Sequence, residues 1–207
     1  MSEREVIKHA ENFVIKLFEE RNSSNYTYHN VFHTISVVKQ AVKIGKCSKF
    51  TDNEMFILVV SAWFHDTGYL YTLKNHEDKS KELAEVFLKR YGIDQNIINA
   101  VKKCIEATRF PQLPLDNISF ALCDADLSHF SEDSFFEISV KLKQELEQLY
   151  KKSMDLLTYW EITFELFKVH SYHSPYGKKI LAKGKERNYQ KLKAKIEADI
   201  HETRTNS

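Results

Sequence analysis

Apolar residues recur at spacings of three and four along most of the chain, the period that gathers them on one face of an α-helix. Val6, Ile7, Ala10, Phe13, Val14, Leu17 and Phe18 form the first such stripe, and Ser2 with Glu5 supplies a capping box at its start. The polar run RNSSN at 21–25 breaks it. A second helix is expected over 30–43, closing at Gly45. Thr51 and Glu54 form another capping box and open a strongly apolar helix that runs through MFILVVSAWF into WFHDTG, with Gly68 as its terminator. Further helices are expected over 76–91, with Gly92 just past the end, and over 94–108. The run FPQLPLDN, with its two prolines, interrupts the pattern before a short helix that carries ISFALCDADL. Two long helices follow over 131–152 and 155–170, and Ser174 as cap with Pro175 at the first helical position opens a last, lysine-rich one. No stretch alternates at the strand period, and no repeat or low-complexity linker marks a boundary. The pattern predicts one all-α domain over 1–200, with HETRTNS at 201–207 as a disordered tail.

Composition agrees with long helices. The chain of 207 residues can build one substantial core, and only 5 Gly and 3 Pro leave too few turn residues for a β-rich fold of this size. A net charge of +1 gives no electrostatic case for a nucleic-acid groove or an anionic membrane as main partner. Cys47, Cys104 and Cys123 are odd in number, far apart and form no C-x-x-C pair, which argues against a disulfide framework and for a reducing interior. The N-terminal MSEREVIKHAENF is not a secretory signal, and MFILVVSAWF is too short to span a bilayer. The expectation is a soluble cytoplasmic protein with a small-molecule partner; a homodimer is left open.

The chemistry concentrates in three segments. YHNVFHT places His29 and His33 four residues apart, on one face of a helix start. AWFHDTGY ends an apolar helix with His65 and Asp66 side by side. Neighbours on a helix diverge by roughly 100°, yet both can address one ion beside the helix end. The alternative is an ordinary helix-terminal hydrogen bond, but burying a carboxylate and an imidazole after such an apolar run costs several kcal/mol unless something compensates. LCDADLSHF offers Asp124 and Asp126, which point in nearly opposite directions two residues apart, so one of them is expected to reach a common site. Asp126 is preferred as the ligand and Asp124 as a partner for backbone groups. His33, His65, Asp66 and Asp126 then make a set of two imidazoles and two carboxylates, suited to Mn, Fe, Zn or Mg with open water positions.

Distributed over an all-helical chain, this H…HD…D pattern resembles the HD superfamily of metal-dependent phosphohydrolases. More closely, the Y-H-x-x-x-H start, the W-F-H-D segment and the D-A-D-L segment are similar to small bacterial predicted HD phosphohydrolases, over roughly residues 25–130. The SYHSPYG…KERNYQKL region looks like the C-terminal part of such domains. A second resemblance, of YHNVFH to the H-N-x-x-H signature and of CDADLS to the D-L-S segment of class I cyclic nucleotide phosphodiesterases, implies that His33 binds metal and His29 protonates the leaving oxygen. That match also favours Asp126 over Asp124. The interval between the HD pair and Asp126 is much shorter than in those enzymes, and no nucleotide-gripping glutamine can be placed, so cyclic nucleotide specificity is not implied.

The resemblance implies an HD-type helical bundle that cleaves a phosphomonoester or phosphodiester of a nucleotide or nucleotide-like molecule. In it Asp66 would bridge two ions and His29 would act as general acid. HD proteins with fully ligated dinuclear sites carry two further histidines between the HD pair and the final Asp, and here only His76 lies in that interval. One tight metal site with a weaker, water-rich second ion is therefore expected. His76 and Glu77 are candidates for that second position, directly or through water, with a solvated helix cap as the alternative. Arg109 at a helix end and Lys185 on the last helix, with Asn188 beside it, are candidates for contacts to substrate phosphate. The helix dipole alone also accounts for Arg109, and lysine runs are usually solvated faces. A nucleotide-sensing module with little turnover is the alternative function; a diiron oxygenase is disfavoured by the missing histidine.

Overall fold

A computed structural model of the protein describes residues 1–21 and 26–205. Among them the chain forms nine α-helices and no strand: α1 (Glu3–Glu20), α2 (Val31–Cys47), α3 (Asp52–Phe64), α4 (His76–Arg90), α5 (Gln95–Glu106), α6 (Asn117–Asp126), α7 (Phe135–Tyr150), α8 (Leu156–Val169) and α9 (Ala182–Thr205). The fold is all-α, as the periodicity predicts. Ser2 and Thr51 cap α1 and α3 with the two expected capping boxes, and Asn30, whose side chain accepts from the backbone N–H of Phe32 and His33, caps α2. Most of RNSSN lies outside the described residues.

Helix α3 is the axis of the core. All its residues from Phe56 to Phe64 are buried, because α1, α2, α4, α5 and α6 pack around it. Val6, Ala10, Val14 and Phe18 of α1 meet Val60 and Phe64 on one side. On another, Val37 and Ala41 of α2 and Ala121, Leu122 and Ala125 of α6 meet Leu58 and Ala62. A second body of aromatic packing joins α7, α8 and α9 through Phe130, Phe135 and Phe167 and through Tyr159, Trp160 and Leu192.

Several boundaries differ from the expected ones. Gly45 does not close α2; it lies inside that helix, which continues to Cys47. Helix α3 stops at Phe64, so His65 and Asp66 lie at its exit rather than within it, and Gly68 sits in a following 3-10 turn, Thr67–Leu70. A Cβ on Gly68 would stand 1.9 Å from the His76 carbonyl oxygen, so this glycine permits the close approach of α4 rather than ending a helix. Residues 127–131 form a second 3-10 turn, and α7 starts only at Phe135. A π-helical segment, Gly177–Leu181, precedes α9, which extends through residues 201–205 of the stretch expected to be a disordered tail; residues 206–207 lie outside the described part.

Candidate metal centre and its cavity

The chain leaves α3 at His65, and Asp66 adopts φ −107°, ψ 2°, outside the helical region. That turn lets two sequence neighbours, which would diverge on a continuing helix, converge on one point. His33 reaches the same point from the first turn of α2, and Asp126 from the last residue of α6. One ligand atom from each of His33, His65, Asp66 and Asp126 lies within 4.8 Å of the others. His33 Nε2 stands 3.3 Å from Asp66 Oδ2 and 3.2 Å from Asp126 Oδ1, and His65 Nε2 stands 3.2 Å and 3.6 Å from the same two oxygens.

These approaches do not make ordinary hydrogen bonds. Both Nε2 atoms are buried and miss hydrogen-bond geometry, so each is left without a partner. On His65 the other nitrogen is committed: Nδ1 lies 2.8 Å from the Ala62 carbonyl, which can only accept, so Nδ1 carries the proton and Nε2 the lone pair. Buried polar atoms are nearly always satisfied. Two orphaned imidazole nitrogens facing two carboxylates form a donor set that fits a divalent cation. The electrostatics point the same way. Burial opposes charge on His65, but Asp66 and Asp126 beside it hold its pKa well above the ordinary value. Burial likewise opposes charge on Asp66, and His65 and His33 nevertheless hold it well below the usual carboxylate range. The carboxylates thus demand positive charge at this point.

Asp124 is directed elsewhere. Fully buried, it accepts hydrogen bonds from the backbone N–H of His173 (2.7 Å), the backbone N–H of Ser174 (2.8 Å) and Ser174 Oγ (2.5 Å). It ties α6 to the start of the last helix. Asp126 Oδ2 instead accepts from Gln112 Nε2 at 2.9 Å.

The cluster opens into a cavity of about 440 Å³ lined by His29, Asp66, His76, Gln112, Asp126 and His129 at the metal end and by residues of α7 and α8 further along. His29 is held by Glu145, a fully buried residue of α7. Glu145 Oε1 accepts from His29 Nδ1, and Oε2 accepts from the backbone N–H of Tyr28 (2.7 Å) and of His29 (2.9 Å). A carboxylate acceptor fixes the proton on Nδ1 and leaves Nε2 as the free nitrogen. The His29 ring stacks on Tyr69 (centroids 4.1 Å apart), which stacks in turn on His76 (3.7 Å). His76 Nε2 lies 3.6 Å from Asp66 Oδ1 and 3.5 Å from Glu77 Oε1. His129, whose imidazole is pushed down to about 4 by burial, meets the Tyr28 hydroxyl through Nδ1 at 3.1 Å.

The two cationic candidates are placed differently from the expectation. Arg109 directs its guanidinium to carboxylates, at 2.9 Å from Glu77, 3.1 Å from Asp78 and 2.6 Å from Glu106. Lys185 does not line this cavity; its ammonium donates to the His170 carbonyl, and it borders a separate depression with Phe167 and Tyr189. Asn188 is likewise committed, donating to the Phe130 and Glu132 carbonyls. Sequence reasoning passed over Glu145, Tyr69, Gln112 and His129. For Glu145 a signal existed: it stands on the stripe of α7 that also carries Phe135, Ser139 and Leu142, an acid where an apolar residue is expected. Tyr69 and His129 stand close to the ligand candidates in sequence, but the residues they touch, His29 and Tyr28, lie far from them along the chain.

No family model matches the chain, and no curated protein matches it. The crystal structure of a predicted HD superfamily hydrolase from an uncultured Thermotogales bacterium is similar to it, with a TM-score of 0.57 at 18% sequence identity, covering 94% of this chain and 91% of that one. The chain therefore has an HD-type all-α fold, and the likeness extends over nearly its whole length.

Proposed function

We propose that the protein is a metal-dependent phosphohydrolase that cleaves a phosphate ester of a nucleotide or nucleotide-like molecule. The observation that carries this reading is the pair of buried, unpartnered Nε2 atoms on His33 and His65 facing Asp66 and Asp126 at the end of a ligand-sized cavity. Those four residues would hold one divalent ion. Such an ion polarises a phosphoryl oxygen and brings the pKa of a bound water to about 7 in favourable sites. The acids and imidazoles of the chain do the rest. His29, anchored through Nδ1 on Glu145 and lining the cavity, would in its doubly protonated form pass the Nε2 proton to the departing oxygen and be left as the neutral Nδ1–H imidazole. The stack on Tyr69 holds its ring plane. His76 and Glu77, beside the second oxygen of Asp66, offer a weaker position for a further ion or an ordered water. Arg109 serves here by fixing Glu77, leaving the phosphate to the metal site and to His29.

The test is turnover of an aryl phosphate and an aryl phosphodiester by protein supplied with Mn, Fe, Zn or Mg. His29→Ala should retain metal and lose about 10²–10⁴-fold in kcat, the usual share of a general acid. Metal-loaded protein that binds nucleotides and hydrolyses nothing would replace this reading with a sensor.

A further inference from the structure

We infer that the cavity is selective for a ligand with one phosphoryl group and an uncharged, apolar or aromatic organic part, and that it rejects ligands carrying a second anionic group at the far end. The inference rests on the phosphohydrolase reading for placing the phosphoryl group at His33, His65, Asp66 and Asp126.

The cavity is unequal along its length. Apart from the groups at the metal cluster its lining is largely apolar, with Leu142 and Leu146 from α7 and Leu166 from α8. The polar groups between them are the uncharged hydroxyls of Ser139, Tyr159 and Thr163. Among the described residues that line the cavity, none is Lys or Arg, and the acids are Asp66, Glu77 and Asp126. The cations in the region are engaged: Arg109 by Glu77, Asp78 and Glu106, and Lys185 by the His170 carbonyl outside the cavity.

Charge accounting follows from this. A divalent ion offsets Asp66 and Asp126, while Arg109 and Lys81 are shared among Glu77, Asp78 and Glu106, so the ion is the one positive charge the metal end has to offer a phosphoryl group. A second anionic group further along would meet leucines and hydroxyls with no cationic side chain. Sites for several phosphates are built around Arg and Lys because an anion desolvated without a cation is costly. An apolar group gains from the same surroundings. The rings of Phe110 and Tyr150, which also line the cavity, are 69% and 62% exposed and so form part of its solvent-facing rim. Neutral hydroxyls among aliphatic walls suit a planar ring with a few hydrogen-bonding atoms.

Unreactive phosphonates separate ligand selection from turnover. Protein loaded with Mn is titrated calorimetrically with naphthylmethylphosphonate, with methylphosphonate, and with a benzylphosphonate carrying a second phosphonate on its ring, too distant to chelate the same ion. The naphthyl compound is expected to bind at least about tenfold tighter than each of the others, since the buried ring area offers that much. Equal affinity of methylphosphonate, or equal or tighter binding of the bis-phosphonate, overturns the inference. In Leu146→Lys, at a position 37% exposed and thus tolerant of a long side chain, the penalty on the bis-phosphonate should fall by at least about threefold. An unchanged penalty counts against the proposal. Turnover of naphthyl phosphate is measured in parallel. If that fails while the phosphonate preference holds, the ligand class stands and the phosphohydrolase reading is the one refuted.

Discussion

Glu145 is the residue whose removal tests the construction of the cavity most searchingly. It is fully buried, and its two oxygens accept from the Tyr28 and His29 backbone N–H groups and from His29 Nδ1. In Glu145→Ala all three donors lose their acceptor at once. Each buried donor left unsatisfied costs about 1–3 kcal/mol, so with water entering the space the loss should be on the order of 3–6 kcal/mol. Against a total stability of about 5–15 kcal/mol, that is a large fraction. Glu145→Gln is different in kind. Its amide oxygen can keep both backbone bonds just before α2, while its NH₂ can only donate to His29 Nδ1 and so shifts the imidazole to the other tautomer. The stability loss should then be only about 1–2 kcal/mol. Turnover of an aryl phosphate should still fall at least about tenfold, because the proton on His29 is no longer fixed at Nδ1. Urea titrations of the three proteins give the stabilities, and metal content is measured on the same samples. Equal stability of the Ala and Gln variants, or a Gln variant with full turnover, would refute the assignment of Glu145 as anchor of both the backbone and the imidazole.

Other outcomes follow from single contacts. Gly68→Ala should destabilise by about 1–3 kcal/mol, because the new methyl group would lie 1.9 Å from the His76 carbonyl oxygen and backbone must move; urea midpoints read this. Asp124→Ala should lose about 2–4 kcal/mol while retaining metal, whereas Asp126→Ala should retain stability better and lose metal, a contrast that elemental analysis beside denaturation resolves. Burial, helped by Lys185, pushes His170 down to about 3 from an unfolded value near 6.5, so the native state binds fewer protons between those values. Its contribution to stability is full above about pH 6.5 and declines as pH falls towards 3; His170→Phe should flatten stability against pH in that interval relative to wild type.

The helical period made most of this architecture readable in advance. Capping boxes at Ser2 and Thr51 and the apolar faces of α1, α3 and α6 are local features, and local features survive folding. The metal-ligating candidates were legible for a related reason. An HD pair after a fully apolar helix, and Asp126 after LC, place polar groups where burial would be costly without compensation. What the sequence hid was direction. Gly68 and Gly45 look like helix stops, and both instead lie where chain segments pass closely. Arg109 and Lys185 are candidates for phosphate, with the helix dipole and a solvated face as the alternatives, and their charges go to Glu77, Asp78, Glu106 and a carbonyl brought in by tertiary packing. Glu145 lies 116 residues from His29, and no spacing rule links them.

On the proposed reading His33, His65, Asp66 and Asp126 together hold a divalent ion. Wild-type protein, stripped by chelator and dialysed against Mn, should reload about one tightly held ion per chain. His33→Ala and Asp66→Asn, each shown to be folded by circular dichroism, should fail to do so. A stripped wild type that reloads no ion, or variants that reload as well as wild type, would contradict the account.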